Sequence, residues 1–134
     1  MSTVSLTLDE IFDLAKKTLL ANGCDDETAS ILSDLIRNAE RDGSLSHGLF
    51  RLPAYVSGLK SGKINGKGKP EVQKVSTSVI KVKGNNCLAP VVLSKGLPEL
   101  AKAAKENGVA VLAINNSHHM AAMWPETEKL AEEG

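Results

Sequence analysis

The stretch "GVAVLAINNSHHMAAMWPE", residues 108–126, joins a continuous apolar run to a polar segment and a second apolar segment. Gly108 is followed by a continuous run of aliphatic and β-branched residues, Val109–Ile114. Such a run is typical of a strand buried on both faces. The polar residues Asn115–His119 predict a loop, and a helix is expected from about Met120 to Glu133. A buried strand that leads through a loop into a helix indicates an α/β fold.

Upstream, the apolar residues recur at helical spacing. Thr7 and Glu10 have the form of a capping box, and the helix that they begin is expected to stop at Asn22-Gly23. Asp25 is expected to cap a second helix, which ends at Asp42-Gly43. A pair of amphipathic helices therefore opens the chain.

A third helix and a loop are expected before the sheet begins. Ser46 can cap the helix, and Pro53 is tolerated if it lies in the first turn. The segment "GKINGKGKP", residues 62–70, has no apolar period and predicts a loop at a domain boundary.

Beyond the loop, the pattern alternates. Residues 78–83 predict a strand, "GNN" at 84–86 predicts a turn, and residues 90–107 predict a helix with a break near Gly96–Pro98. A sheet of two or three strands with one strand fully buried cannot cover itself. The chain therefore looks cut short within an α/β fold, with a helical subdomain over 1–70 and an incomplete α/β domain over 71–134.

Composition and charge narrow the function classes. Sixteen basic and sixteen acidic residues cancel, so no overall field attracts nucleic acid or an anionic membrane. The basic residues of the loop, Lys60, Lys63, Lys67 and Lys69, are interpreted as solvated because few aromatic residues could stack on bases. Neither a secretory signal nor a long apolar run is present, so a cytoplasmic location is expected. Cys24 and Cys87 are expected to be free thiols.

All three histidines lie in two short segments, and each segment places a serine next to a histidine. In "SHGLFR", His47 would lie at a helix start, with Arg51 four residues later on the same face. A guanidinium can bind a carboxylate and an imidazole can move a proton, so this pattern favours a pocket for a small acid. The alternative is that Ser46 only caps and that Arg51 pairs with a nearby carboxylate such as Asp42.

The second segment would follow a strand and precede a helix, which is where ligands bind in α/β sheets. The small pair Ala121-Ala122 would let a ligand approach the backbone, and Trp124 could stack on a ring or fill the core. Adjacent His118 and His119 are not expected to bind a metal, because no other ligand stands at suitable spacing. The glycine-rich motifs of Rossmann and P-loop nucleotide sites are absent from the sequence.

Two segments of the chain, taken in their sequence order, resemble the conserved motifs of a known enzyme family. "RDGSLSHGLFRLPAYVSGLKSGKIN" (41–65) and "GVAVLAINNSHHMAAMWPETEKLAEEG" (108–134) resemble the malate/L-lactate dehydrogenase-like oxidoreductases, which are distinct from the Rossmann-fold lactate and malate dehydrogenases. The chain departs from the form that many members share, with Asn115 in place of an arginine and Met120-Ala121 in place of Phe-Gly. The His-His-x-Ala-Ala-x-Trp-Pro-Glu form is most similar to the imine-reducing branch, the Δ1-piperideine-2-carboxylate/Δ1-pyrroline-2-carboxylate reductases.

The resemblance implies roles for individual residues. Ser46 and His47 match a proton relay whose aspartate would lie beyond residue 134, and Arg51 matches the arginine that holds the substrate carboxylate. His119 matches an acid/base histidine. The resemblance also implies that the cofactor is NADPH rather than NADH. The residues that match the cofactor-contacting segment of the family are His119, Met120, Ala121, Ala122, Met123 and Trp124. The resemblance also implies a homodimer and a mixed, non-Rossmann cofactor sheet that begins near residue 71.

The implied activity is NADPH-dependent reduction of cyclic imino acids, Δ1-piperideine-2-carboxylate to L-pipecolate and Δ1-pyrroline-2-carboxylate to L-proline. An alternative is an NAD(P)-dependent dehydrogenase of 2-hydroxy acids such as malate, lactate, ureidoglycolate or sulfolactate, and a non-enzyme alternative is a helical interaction module. The expected partner is a small imino or keto acid rather than nucleic acid or a membrane. A fragment of this length is expected to have little or no activity alone.

Overall fold

The computed structural model describes residues 4–119 and 121–134. The helices are α1 (Leu8–Ala21), α2 (Asp26–Arg41), α3 (Leu52–Lys60), α4 (Ala89–Asn107) and α5 (Trp124–Glu132); the strands are β1 (Glu71–Lys74), β2 (Val79–Leu88) and β3 (Val111–His118). Two compact units divide the chain, a helical unit that ends at Gly66 and an α/β unit over Lys67–Gly134. The division falls inside the loop predicted for residues 62–70.

Local capping begins both of the first two helices, as predicted. The Glu10 carboxylate accepts from the Thr7 N–H at 2.7 Å, and the Thr7 hydroxyl accepts from the Glu10 N–H at 3.2 Å. The Asp25 carboxylate accepts from the Thr28 N–H at 2.9 Å at the start of α2. The two helices then bury their apolar stripes, which include Ile11, Ala15, Leu19, Ala29, Leu32, Leu35, Ile36 and Ala39.

The predicted start of the third helix is wrong. Ser46 lies inside a 3-10 turn, Leu45–His47, and a second 3-10 turn, Leu49–Arg51, separates it from α3. Gly48, with φ −85° and ψ −138°, turns the backbone away from the helical path between the two turns. Pro53 lies in the first turn of α3, as predicted, because its missing N–H costs nothing there.

The α/β unit contains a three-stranded mixed sheet in the order β1-β2-β3, which agrees with the expected mixed sheet. β1 pairs with β2 antiparallel, and β2 pairs with β3 parallel. α4 packs on one face of this sheet through a core of Ala89, Leu93 and Leu97, against which Leu112, Ile114 and Leu130 pack.

The turn predicted at residues 84–86 is wrong, because these residues belong to β2. Asn85 and Asn86 have φ values of 49° and 62°, and the register with β3 shifts between Lys83 and Cys87. Asparagine tolerates the left-handed region well, so the turn-favouring residues form a bulge within a continuing strand. A Cβ at Gly84 would lie 2.7 Å from the Asn116 carbonyl oxygen, so the bulge requires glycine here.

The break predicted near Gly96–Pro98 is also wrong, because α4 is continuous from Ala89 to Asn107 with Pro98 inside it. Proline removes one helical hydrogen bond, but Leu97 and Ala101 on either side are buried and hold the helix. Gly96 is explained by packing, since a Cβ there would lie 2.8 Å from Leu112 Cδ2. Both breaker residues therefore lie in a helix that tertiary contacts stabilise.

Two expectations about β3 and α5 need correction. β3 forms an edge of the sheet, and Val111 is 55% exposed, so burial on both faces was wrong. The strand runs on to His118, through most of the predicted loop, because Ser117 and His118 continue the pairing with β2. The last helix begins at Trp124. The predicted start at Met120 lies outside the described residues. Within residues 4–119 and 121–134, no helix is long and apolar enough to span a bilayer.

Candidate functional site

In the helical unit, Ser46 and His47 are in hydrogen-bonding contact. Ser46 Oγ lies 3.0 Å from His47 Nδ1, and Ser44 Oγ lies 3.3 Å from the same nitrogen. Two hydroxyls therefore share one imidazole nitrogen, and a hydroxyl can either donate to that nitrogen or accept from it. A proton can pass between His47 and Ser46 without a change in backbone conformation.

Arg51 ends the second 3-10 turn, and its Nε is buried without a hydrogen-bond partner among the described residues. The alternative pairing with Asp42 is not seen, because Asp42 instead accepts from Arg41 at 2.7 Å and 3.0 Å. A buried guanidinium nitrogen without an acceptor is costly, which favours an anionic ligand at this position.

The geometry of "SHGLFR" differs from the single helical face that was predicted. His47 and Arg51 lie in successive 3-10 turns on either side of Gly48, so the spacing of an α-helix does not apply to them. Tyr55, on the next turn, is 3% exposed. Burial raises the pKa of Tyr55, and the Arg51 charge opposes that rise.

Sequence reasoning missed Glu40, which supports this segment from α2. Glu40 Oε1 accepts from the Leu49 N–H at 2.7 Å. A Cβ at Gly48 would overlap the Glu40 carboxylate, so the glycine permits this approach. Nine residues separate Glu40 from Leu49. No capping or turn motif has that spacing, and the sequence therefore carried no local signal for the contact.

In the α/β unit, the second predicted segment follows the carboxyl end of β3, where it was expected. His119 has φ 41° and Ala121 has φ 56°, both left-handed. The Ala121 N–H donates to His119 Nδ1 at 3.2 Å. An accepting Nδ1 places the proton of a neutral imidazole on Nε2. The exposed His119 side chain can then donate a hydrogen bond from Nε2.

The remaining predicted contacts surround the start of α5. Ala122 is 2% exposed, Met123 is 71% exposed, and Trp124 is partly buried as the first residue of the helix. The prediction placed the pair Ala121-Ala122 in the first turn of this helix. In the structure the pair precedes the helix. Met120 lies outside the described residues. Strained backbone at His119 and Ala121 is the kind of feature that clusters at ligand sites.

Metal-ligating residues do not converge in the described part of the chain: no group of three or more His, Cys, Asp or Glu side chains could hold an ion there. The donors at the second segment are instead an imidazole, backbone N–H groups and an indole ring. Such groups suit an organic ligand with polar edges and a planar ring.

Comparison with known proteins identifies relatives. Residues 6–134 match the family described as Malate/L-lactate dehydrogenase. The chain is 39% identical over 132 residues to a Delta(1)-pyrroline-2-carboxylate/Delta(1)-piperideine-2-carboxylate reductase from Pseudomonas syringae pv. tomato, an alignment that covers 98% of this chain and 38% of the relative. It is 36% identical over 134 residues to Delta(1)-pyrroline-2-carboxylate reductase 1 from Burkholderia ambifaria, covering 100% of this chain and 39% of the relative.

Solved structures agree with this relationship. The crystal structure of Δ1-piperideine-2-carboxylate reductase from Pseudomonas syringae superimposes with a TM-score of 0.93 at 39% identity, over 98% of this chain and 40% of that one. A malate dehydrogenase from Entamoeba histolytica gives a TM-score of 0.91 at 27% identity, over 99% of this chain and 37% of that one. The chain thus spans about two-fifths of the length of these relatives. A match over residues 6–134 and the shared fold establish that the chain belongs to the malate/L-lactate dehydrogenase family.

Proposed function

We propose that the full-length protein reduces cyclic imino acids with NADPH, converting Δ1-piperideine-2-carboxylate to L-pipecolate and Δ1-pyrroline-2-carboxylate to L-proline. The observation that carries the proposal is a serine–histidine pair, 3.0 Å apart, a few residues before a buried guanidinium nitrogen that has no hydrogen-bond partner within residues 4–119 and 121–134. The relatives named as reductases of these compounds, at 36% to 39% identity, support the same substrate class.

Arg51 would bind the substrate carboxylate. A carboxylate oxygen that accepts from Nε would relieve the cost of its buried N–H, and the planar guanidinium would fix the orientation of the ring acid. Fixed orientation is a large part of the rate enhancement when a hydride acceptor must face its donor.

Ser46 and His47 would deliver the proton to the imine nitrogen. In this proposal, the Ser46 hydroxyl passes its proton to the lone pair of the neutral imine nitrogen while the protonated imidazole passes its Nδ1 proton to Ser46 Oγ, which leaves a protonated imine, a hydroxyl and a neutral imidazole. A protonated imine accepts hydride at carbon far more readily than a neutral one, because the developing charge on nitrogen is neutralised. The same pair could protonate a keto oxygen, so the proton relay alone does not select the imine.

The segment from His119 to Trp124 would contact the cofactor. Met120 is assigned to this segment by the family motif, because it lies outside the described residues. The donors present fit a nicotinamide dinucleotide: the exposed His119 can donate from Nε2, and Trp124 offers a planar surface. When bound, the reduced nicotinamide supplies a hydride. His119 would act as the acid/base group if the substrate were a keto acid.

Side-by-side assays test the substrate. The full-length protein is given Δ1-piperideine-2-carboxylate, Δ1-pyrroline-2-carboxylate, pyruvate or oxaloacetate, and oxidation of NADPH or NADH is followed. We expect the highest kcat/KM for the two cyclic imines with NADPH. Preference for pyruvate or oxaloacetate would contradict the proposal and favour a 2-hydroxy acid dehydrogenase, the activity named for the malate dehydrogenase neighbour.

We also propose that the full-length protein is a homodimer in the cytoplasm. Cys24 and Cys87 are both buried and form no disulfide, which suits a reducing compartment. Sedimentation of the full-length protein would distinguish a dimer from a monomer.

A further inference from the structure

We infer that Glu40 is a positioning residue, which acts through the Leu49 N–H to hold His47 and Arg51 in their working arrangement. The inference rests on the proposed function, because it assigns Glu40 to the same substrate site. Glu40 lies in the last turn of α2 and belongs to none of the sequence motifs considered above.

The contact is a short hydrogen bond to an ionisable side chain. Glu40 Oε1 accepts from the Leu49 N–H at 2.7 Å, and both groups are partly buried. Hydrogen bonds to a charged acceptor are about twice as strong as neutral ones. The bond satisfies a backbone N–H at the start of a 3-10 turn, where no preceding carbonyl of that turn is available.

Leu49 lies between the two groups that the reaction would need. Gly48 N–H donates to the Leu45 carbonyl at 3.3 Å, and Arg51 N–H donates to the Gly48 carbonyl at 3.0 Å. The first bond belongs to the turn that carries His47, and the second belongs to the turn that carries Arg51. A restraint on Leu49 therefore sets the angle between the two turns.

The other end of the segment is also held by α2. Ser44 N–H donates to the Ala39 carbonyl at 2.8 Å, one residue before Glu40. The last turn of α2 thus fixes the segment at both Ser44 and Leu49. Loss of the Leu49 restraint would leave the Ser44 end in place and free the Arg51 end to move relative to His47.

Gly48 is the structural counterpart of Glu40. A Cβ at this position would overlap the carboxylate and its Cγ. Gly48→Ala therefore tests the contact by displacing the carboxylate. In Glu40→Ala, the three atoms nearest to that Cβ are absent, because all three belong to the Glu40 side chain.

Variants of the full-length protein separate the acceptor from the charge. Glu40→Gln keeps an oxygen that can accept from Leu49, whereas Glu40→Ala removes it. We expect Glu40→Ala to lower kcat/KM for Δ1-pyrroline-2-carboxylate by at least about tenfold through misplacement of the bound acid. We expect Glu40→Gln to stay within about threefold of the wild type, since it retains the hydrogen bond. Equal losses in both variants, or no loss in Glu40→Ala, would overturn the inference.

A double-mutant cycle and a readout free of activity complete the test. The Gly48→Ala variant by itself should lower kcat/KM, but in the Glu40→Ala background it should add little further loss. Additive losses would refute the coupling.

Amide hydrogen exchange at Leu49 in the 134-residue chain should accelerate in Glu40→Ala and not in Glu40→Gln. Unchanged exchange in Glu40→Ala overturns the positioning role even if imines are reduced. Accelerated exchange, with a wild type that reduces no imine, leaves that role standing and rejects the substrate instead. If Glu40→Ala does not fold, kcat/KM is compared between Gly48→Ala and Glu40→Gln. A lower kcat/KM in Gly48→Ala alone supports the inference, and any other pattern overturns it.

Discussion

At the scale of single residues, the "SHGLFR" segment places a hydrogen-bonded serine–histidine pair and an arginine close together in the chain. The Ser46–His47 contact follows from adjacency, but the buried Arg51 Nε depends on the turn that precedes α3. Polar side chains placed this way are poor choices for stability, since a buried donor without an acceptor costs about 1–3 kcal/mol. Their placement is therefore better explained by ligand binding than by folding.

Arg51→Ala should raise KM for the imino acid by about 10- to 100-fold in the full-length protein, because a charge-assisted hydrogen bond to the carboxylate is lost. Arg51→Ala should not lower the melting temperature, since it removes a buried N–H that has no partner among the described residues. Arg41→Ala is the matched control, because Arg41 pairs with Asp42 at the end of α2. An unchanged KM for Arg51→Ala would exclude Arg51 as the carboxylate ligand.

Cys24 is expected to be chemically inert in the folded chain. Burial raises the pKa of its thiol to about 11, and the Asp25 carboxylate adds to the rise. Because the folded pKa is raised, the neutral thiol favours folding at neutral pH, and this contribution is lost as pH rises toward 11. Alkylation of a Cys87→Ala variant at pH 8 should be slow when folded and fast in urea; equal rates would contradict the burial of Cys24.

At the scale of secondary-structure elements, local capping correctly predicted the starts of α1 and α2, whereas the cap at Ser46 and the breaks at glycine and proline were predicted wrongly. Thr7, Glu10 and Asp25 cap their helices through contacts three residues apart, so sequence spacing is enough to find them. Gly96 and Pro98 lie within α4 because the sheet beneath holds the helix. Local propensity yields to packing wherever an element is supported by buried neighbours.

Gly96→Ala should lower the free energy of unfolding. The added Cβ would lie 2.8 Å from Leu112 Cδ2, and overpacking costs about 1–3 kcal/mol, against a gain in helix propensity of at most about 1 kcal/mol. Urea unfolding monitored by circular dichroism measures the difference, with Lys102→Ala on the exposed side of α4 as the control. The Gly96→Ala/Leu112→Ala pair should cost less than the sum of its members; strict additivity would argue against this contact.

At the scale of the whole molecule, the chain contains two compact units that carry different parts of the family pattern. The helical unit carries Ser46, His47 and Arg51, and the α/β unit carries the segment from His119 to Trp124. Val109, which precedes β3, and Val111, the first residue of β3, are 70% and 55% exposed. Relatives are about two and a half times longer, as the 38% to 40% coverage shows.

The 134-residue chain alone is expected to bind NADPH weakly, because it covers only 38% of the related reductase and so lacks counterparts to most of that protein. Titration of NADPH fluorescence should show no saturable change at micromolar concentrations, while the full-length protein should saturate. A His119→Ala variant of the full-length protein serves as a control for the proposed cofactor segment. Tight, saturable binding to the isolated chain would contradict this expectation.

Sequence patterns were sufficient for the features that depend on neighbouring residues: the caps of α1 and α2, the change from helical to alternating periodicity, and the family motifs. Three features depended on contacts between distant parts of the chain: the bulge at Asn85 and Asn86, the edge position of β3, and the support of Leu49 by Glu40. Capping and periodicity act over three or four residues, so they can be read along the chain. Strand order and the Glu40–Leu49 hydrogen bond, whose partners are nine positions apart, exist only once the elements have packed; that hydrogen bond holds the segment between His47 and Arg51.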